Sequence, residues 1–158
     1  MKILIFGASG HLGSLIFNFF SNKNYYVVGT YNSNKKKDLI EFDLTENSEL
    51  SNELKNNKFD YFLWCIGYKD LLKTEDFNGE TYKVNIVLLN IFIKKLIDYG
   101  INTQLIYIST DYVFDGLKGS YNEKEKPNPK TNYGLSKYLS ELMLLNSYKK
   151  TTIIRTSA

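Results

Sequence analysis

The chain has 158 residues, of which 43% are hydrophobic and 23% are charged, and its formal net charge is +3. This length and composition predict one globular domain rather than a disordered segment. The small positive charge is scattered along the chain, which argues against nucleic acid as the main partner. Cys65 and His11 are the only residues of their types, so we predict neither a disulfide framework nor a metal site.

The hydropathy pattern contains no apolar run of the ~20 residues that cross a bilayer. Met1 leads directly into an apolar strand, without a basic leader segment before it. We therefore expect a soluble, cytoplasmic protein that has no membrane partner.

Short apolar runs alternate along the chain with segments of helical periodicity. The runs predict strands at residues 2–6, 25–29, 39–42, 61–66, 105–108 and 151–155. Strands that alternate with helices form a doubly wound α/β sheet with right-handed crossovers. The pattern therefore predicts a single α/β domain over residues 1–158.

Four helices are predicted between these strands. The first would bury an apolar face made of Leu12, Leu15, Ile16 and Phe19. Thr45 is the predicted N-cap of the second, which runs to about residue 56. The third covers the apolar positions between residues 84 and 96, with Gly100 just past its end. The fourth extends from about residue 131 to 148.

A glycine motif follows the first strand and opens the first helix. Gly7, Gly10 and Gly13 are spaced three apart, and glycines let the backbone approach the pyrophosphate of a dinucleotide at a helix N-terminus. His11 and Leu12 would contribute backbone groups. The alternative is a strand-to-helix turn with incidental glycines, but the position between strand and helix favours cofactor binding.

The end of the second strand bears on the choice of cofactor. An NAD site usually places Asp or Glu here for the ribose 2′-hydroxyl, and this chain has neither. Thr30 and the residues up to Asn34 offer hydrogen bonds to a 2′-phosphate, and three lysines at 35–37 offer charge. NADPH is therefore favoured and NADH stays open, as does a merely solvated lysine loop.

A hydroxyl, a phenol and an ammonium are predicted to meet near the fifth strand. Thr110 ends that strand, and Tyr133 and Lys137 lie four apart on one face of the last helix. Such a set moves a proton beside a hydride: Lys137 and a nicotinamide would lower the pKa of the phenol, and Thr110 would orient the substrate oxygen. The same spacing at Tyr31 and Lys35 is interpreted as chance. A surface helix with an incidental Tyr and Lys is the alternative.

Three motifs together resemble the extended short-chain dehydrogenase/reductase family, in the branch of dTDP-4-dehydrorhamnose reductase and related sugar-nucleotide reductases. They are the glycine motif, residues 109–116 (Ser-Thr-Asp-Tyr-Val-Phe-Asp-Gly) and residues 133–137 (Tyr-Gly-Leu-Ser-Lys). The resemblance covers nearly the whole chain and implies a Rossmann-type fold. It also implies adenine contacts for Asp43 and Leu44, a place along the cofactor for Gly67, Tyr68 and Lys69, and support of the catalytic site by Asn85.

The implied activity is reduction of the 4-keto group of a nucleotide-linked deoxysugar by NADPH or NADH. Sugar-nucleotide dehydratases carry a glutamate directly after the Thr-Asp pair, whereas this chain has Tyr112, which favours reduction over dehydration. A sugar-nucleotide epimerase or dehydratase stays open as an alternative. A regulatory, non-catalytic subunit like the methionine adenosyltransferase beta subunit stays open, and so does a homodimer. Members of this family continue into a smaller substrate-binding lobe, so we expect this stretch to bind NADPH without turning over.

Overall fold

The computed structural model describes residues 1–68 and 79–157, so the predicted role of Lys69 lies outside the described residues. The strands are β1 (Lys2–Phe6), β2 (Tyr26–Tyr31), β3 (Leu39–Glu41), β4 (Tyr61–Trp64), β5 (Gln104–Thr110) and β6 (Thr151–Thr156). The helices are α1 (His11–Ser21), α2 (Glu49–Asn56), α3 (Gly79–Tyr82), α4 (Leu88–Asp98) and α5 (Asn132–Ser147). A π-helical segment, Lys83–Val87, joins α3 to α4, and a 3₁₀ turn, Asp111–Val113, follows β5.

The strands form a six-stranded sheet in the order β3-β2-β1-β4-β5-β6. The pairs β2–β3, β1–β2, β1–β4 and β4–β5 are all parallel. This order and these pairings are those of the predicted doubly wound, Rossmann-like fold, which is confirmed. All six predicted strands are present, with ends that shift by up to two residues.

The chain divides into two compact units. The first unit contains Met1–Ile66 and Lys95–Tyr107, and the second contains Gly67–Lys94 and Ile108–Ala158. In the first unit β1 is buried on both faces, as a parallel strand requires. Ile3 and Ile5 pack with residues of α1, while Phe6 lies edge-on to Phe42 at 5.7 Å between ring centroids.

The predicted buried face of α1 is wrong at three of four positions. Leu15 and Phe19 are 56% and 55% exposed, and Leu12 is also exposed. Ile16, Phe17 and Phe20 pack on the core instead. His11, Ser14, Asn18 and Ser21 form one polar side of α1, and the apolar residues cover the remaining arc, which is wider than the buried face. The close approach of Gly13 to Gly7 O fits the observed choice within that arc, in which positions 13, 16, 17 and 20 face the core.

The ends of the other helices follow the predictions, with one correction. Gly100 has a positive φ of 64° beyond α4, where Ile101 N–H donates to Leu96 O at 2.8 Å. Thr131 caps α5 by accepting from Gly134 N–H at 3.0 Å. For α2, however, the cap is Ser48, which accepts from Ser51 N–H. Thr45 instead bonds to Asp43 in the preceding turn.

Candidate active site

In the first unit, the glycine motif forms a tight turn between β1 and α1. Gly7 has a φ of 79°, in the left-handed region that favours glycine, and its carbonyl accepts from Gly10 N–H at 3.0 Å. A Cβ on Gly13 would lie 2.2 Å from Gly7 O, so only glycine lets the helix approach the turn this closely. Gly7 and Gly13 therefore have structural roles that other residues could not fill.

The N-terminus of α1 fits the pyrophosphate of a dinucleotide. Gly10 is the N-cap and has no side chain to accept hydrogen bonds from the first helical turn. His11 and Leu12, the next two residues, are exposed. Backbone N–H groups at such an end, together with the helix dipole, attract anions. The residues present thus fit the cofactor predicted from the motif, with backbone groups as the donors.

Thr30 departs from the prediction that it contacts a 2′-phosphate. Its side chain is fully buried, and its hydroxyl accepts from Gly7 N–H at 3.1 Å. Thr30 therefore fixes the glycine turn from the neighbouring strand instead of facing a ligand. The residues from 32 to 38, which include the three lysines, are exposed.

Asp43 and Leu44 follow β3 in the first unit. The Asp43 carboxylate accepts from Thr45 N–H at 2.9 Å and from the Thr45 hydroxyl at 3.0 Å. The turn that leads into α2 is built on these two bonds. Both Asp43 and Leu44 are half-buried, and their contact with an adenine stays a prediction.

In the second unit, Asn85 lies at the centre of the π-helical segment and is 1% exposed. Its side-chain amide holds Tyr68 through both backbone groups: Oδ1 accepts from Tyr68 N–H at 2.8 Å, and Nδ2 donates to Tyr68 O at 3.3 Å. Nδ2 also donates to the Ser136 hydroxyl at 2.8 Å. Single π-helical turns are frequent at functional sites, and this one ties the segment after β4 to α5.

Ser136 and Ser140 were not singled out from the sequence, yet both bind Asn85. The Ser140 hydroxyl lies 2.8 Å from the Asn85 carbonyl oxygen, to which it donates. Ser136 is buried and donates to Tyr133 O at 2.7 Å. The sequence signal for Ser136 is its position next to Lys137 in the motif at residues 133–137.

The predicted catalytic residues meet in the second unit. The Thr110 hydroxyl lies close enough to the Tyr133 phenol to lower its pKa, and it donates to Asp111 Oδ1 at 3.3 Å. Lys137 is 3% exposed and donates to Ile108 O at 2.7 Å. A Cβ on Gly67 would lie 3.7 Å from Lys137 Nζ, so Gly67 lies next to the Lys137 ammonium. Tyr112 packs edge-on against Tyr133 with ring centroids 5.9 Å apart.

The pKa of the Tyr133 phenol is raised in the protein alone. Burial is the main cause, the Thr110 hydroxyl acts in the opposite direction, and the nearby Asp111 adds to the rise. The predicted lowering by Lys137 is thus not met without a bound nicotinamide. The phenol is protonated at neutral pH and holds a proton that it can donate.

The long loop after β5 is organised around Asp115. Its carboxylate accepts from the Tyr121 hydroxyl, from Leu117 N–H at 3.1 Å and from Asn128 Nδ2 at 3.0 Å. These bonds, with the one to Tyr121 first, lower the pKa of Asp115 to about 2. The loop borders a cleft of about 920 Å³, whose other wall includes Ile153 and Arg155.

The fold and these residues define a Rossmann-type α/β protein of the extended short-chain dehydrogenase/reductase class. More narrowly, the family model described as the RmlD substrate binding domain matches residues 1–158, and the chain belongs to that family.

Relatives with known sequences agree with this membership. The chain is 31% identical to a dTDP-4-dehydrorhamnose reductase of Aggregatibacter actinomycetemcomitans over 99% of this chain and 51% of the relative. It is 25% identical to methionine adenosyltransferase 2 subunit beta of Bos taurus over 98% of this chain and 46% of the relative. The chain thus spans about half the length of the curated relatives it matches.

Solved structures are similar as well. A hypothetical dTDP-4-dehydrorhamnose reductase from Sulfolobus tokodaii has 35% identity and a TM-score of 0.83, over 99% of this chain and 56% of that chain. The dTDP-4-dehydrorhamnose reductase of Bacillus anthracis, solved in complex with NADP, has 25% identity and a TM-score of 0.76, over 99% and 53%. UDP-glucose 4-epimerases at 17–21% identity share the fold.

Two features are absent from residues 1–68 and 79–157. None of the helices there has the length and apolar character needed to cross a membrane. Over the same described ranges, acidic, cysteine and histidine side chains form no group of three or more suited to holding a metal ion.

Proposed function

We propose that the protein is an NADPH-dependent reductase of the 4-keto group of a nucleotide-linked deoxysugar, in the manner of the dTDP-4-dehydrorhamnose reductases. One observation carries the proposal: Thr110 lies beside the Tyr133 phenol and next to a buried Lys137, in a chain of this family. A fold-forming role alone does not require a threonine, a tyrosine and a lysine together at one strand end.

Each residue has a distinct role in this proposal. When bound, the nicotinamide supplies the hydride to C4 of the sugar. Tyr133 donates its proton to the ketone oxygen, which becomes the product hydroxyl, and Thr110 holds that oxygen by a hydrogen bond. Lys137 stabilises the phenolate that remains, by charge. Asn85 keeps Tyr68 and Ser136 in place beside them.

The proposed cofactor contacts come from separate parts of the chain. The glycine turn and the start of α1 bind the pyrophosphate, and Asp43 and Leu44 contact the adenine. Gly67 and Tyr68 lie along the cofactor. NADPH is preferred over NADH because the end of β2 lacks an acid and the exposed lysines at 35–37 attract a 2′-phosphate.

A second candidate is a nucleotide-binding regulatory subunit. The match to methionine adenosyltransferase 2 subunit beta, at 25% identity over 98% of this chain, favours it. Both candidates predict dinucleotide binding, so binding does not separate them. Only the first predicts that Tyr133 and Lys137 act on a substrate.

The test is an assay of the longest form of the protein that its gene encodes, with NADPH and dTDP-4-dehydrorhamnose. The expected result is consumption of NADPH that depends on the sugar nucleotide, together with formation of the reduced sugar nucleotide. Binding of NADPH without consumption of it would contradict reduction and favour the regulatory subunit. A lack of binding would contradict both.

A further inference from the structure

Three consecutive residues at the end of β5 each interact with a different residue of α5. The α5 residues are spaced by four, so they lie on one helix face. Ile108 O accepts from Lys137 Nζ at 2.7 Å, and the Ser109 hydroxyl donates to Glu141 at 2.5 Å. The Thr110 hydroxyl lies beside the Tyr133 phenol and lowers its pKa. Two of these interactions involve the proposed catalytic residues, and the third, Ser109 to Glu141, does not.

Glu141 is buried, with 1% of its surface exposed, and it is charge-paired. Arg155 of β6 binds both of its oxygens, from Nε at 3.1 Å and from Nη2 at 2.6 Å. On its other side Arg155 lies over the ring of Phe114, 5.1 Å from the centroid. A buried carboxylate is tolerated only when its partners satisfy it with good geometry, and this two-point pairing does so.

The choice of residue at position 155 fits this geometry. Arg155 is the only arginine among 20 basic residues. Lysine, the residue used everywhere else, presents a single ammonium and cannot form two parallel bonds to one carboxylate. The pairing therefore requires the two-pronged guanidinium of an arginine at position 155, and a positive charge alone is not sufficient.

We propose that Glu141 is a positioning residue, which holds α5 in register on β5 and so keeps Tyr133 against Thr110. Glu141 lies two helical turns from Tyr133, or ~12 Å along the axis. Glu141 is held by charge-assisted bonds from two nitrogens of Arg155, whereas Thr110 and Tyr133 are both neutral groups. A slip of the helix along the strand would break the Ser109 bond first and then separate the catalytic pair. The positioning role rests on the proposed function, while the register itself does not.

The main test variant is Ser109→Ala, because it removes the strand-to-helix bond and leaves the Glu141–Arg155 pair intact. The readout is the titration of Tyr133, followed by NMR on protein that contains tyrosine labelled with ¹³C at Cζ and assigned with Tyr133→Phe. We expect Tyr133 to titrate at higher pH, since the effect of the Thr110 hydroxyl is weakened. In the longest form of the protein, kcat should fall by ~10-fold or more with KM for NADPH unchanged, because small misplacements of reacting groups are costly.

A second variant tests Glu141 itself. The pair Glu141→Leu and Arg155→Met removes both charges together, a change that is often tolerated because no buried ion is left alone. It should shift the Tyr133 titration in the same direction as Ser109→Ala. Glu80→Gln, which removes an exposed carboxylate 3.0 Å from Lys83 Nζ, is the matched control and should change neither readout.

The outcomes separate this inference from the proposed function. An unchanged Tyr133 titration in folded Ser109→Ala would overturn the positioning role, whether or not the double variant folds. If the wild-type protein lacks turnover, the proposed function fails, and the titration still decides whether Ser109 and Glu141 hold the helix. An unchanged Tyr133 titration in a folded double variant would likewise contradict the positioning role of Glu141.

Discussion

Tyr133 shows how opposing effects act on a single side chain. Burial raises the pKa of its phenol, and the Thr110 hydroxyl partly offsets that rise. A raised pKa contributes to the free energy of unfolding below the ordinary value of ~10, and that contribution is lost as pH rises through the folded value. In the protein alone, Tyr133 should therefore titrate above ~10 by ¹³C NMR, and NADP⁺ should lower the value through its positive ring. A Tyr133 that titrates below the ordinary value without cofactor would contradict the structure.

A single added Cβ at Gly13 tests whether the glycine turn between β1 and α1 binds the cofactor. A Cβ there would lie 2.2 Å from Gly7 O, so Gly13→Ala must push α1 away from the turn. We expect a loss of ~1–3 kcal/mol in the free energy of unfolding, which is usual for overpacking, and at least ~10-fold weaker NADPH binding. Urea unfolding and fluorescence titration measure the two.

Gly79→Ala is the matched control for this substitution, since its Cβ would make only an ordinary contact, 3.7 Å from Lys83 Cε. It should leave both measurements nearly unchanged. Normal NADPH affinity in Gly13→Ala would show that the glycine turn does not hold the cofactor.

Among the elements, the loop after β5 has a built-in dependence on pH. The pKa of Asp115 is lowered to about 2 from its ordinary 3.8, so its bonds stabilise the loop above about pH 4 and are lost as pH falls towards 2. The side-chain amide of Asn128 should shift in NMR spectra over this range, and the ring stack of Phe114 on Tyr121, at 4.5 Å, should loosen. In Asp115→Asn the shift over this pH range should disappear. Asn128 signals that stay constant until the whole chain unfolds would contradict this.

The sequence predicted the strands and most helix ends because those depend on local patterns. Alternation of apolar runs and turns marks parallel strands, and Gly100 and Thr131 mark helix ends by their own chemistry. The face of α1 failed for the opposite reason: its apolar residues cover more of the helix surface than the core does, and the contact of Gly13 with Gly7 helps to decide which part of that arc is buried. The cap of α2 failed because Thr45 and Ser48 can both cap a helix, and Ser48, the better N-cap type of the two, is the one used.

Residues of the candidate site were predictable where their side-chain type and spacing form a recognisable motif. They were not predictable where their role depends on a contact between two different strands or helices. Thr110 and Tyr133 were expected to meet, and they do. Thr30 was expected to face a ligand, but the fold buries it against Gly7. Glu141 carried no signal, since a glutamate late in a helix is usually solvated. Only its pairing with Ser109 and Arg155 in three dimensions shows its role.

At the scale of the whole molecule, cofactor choice depends on charge that is spread over an exposed segment. Lys35, Lys36 and Lys37 are all exposed, and three charges near a phosphate act together more strongly than one. NADPH should therefore bind more tightly than NADH, and changing the three lysines to glutamine should reduce that difference. Calorimetric titration with both dinucleotides measures it, at low salt because screening weakens such effects. Equal affinities in the unmodified protein would contradict the preference.

The length of the chain sets a further expectation. It spans about half of the relatives' length, so residues 1–158 by themselves should bind NADPH but show no measurable sugar-dependent oxidation of it. Positioning of a substrate can supply ~7–11 kcal/mol of a barrier, so its absence would leave almost no rate. Robust turnover by residues 1–158 would show that the substrate site lies within them.

The most direct test of the central claim is the turnover of Tyr133→Phe in the longest form of the protein, with NADPH and dTDP-4-dehydrorhamnose. Loss of the proton donor should lower kcat by ~100-fold or more. The affinity for NADPH should change little, because the phenol acts mainly in the transition state. Tyr31→Phe, at the tyrosine whose spacing to Lys35 we interpret as chance, is the control and should leave kcat at saturating NADPH nearly unchanged. Near-normal turnover in Tyr133→Phe would contradict the proposal that Tyr133 is the proton donor.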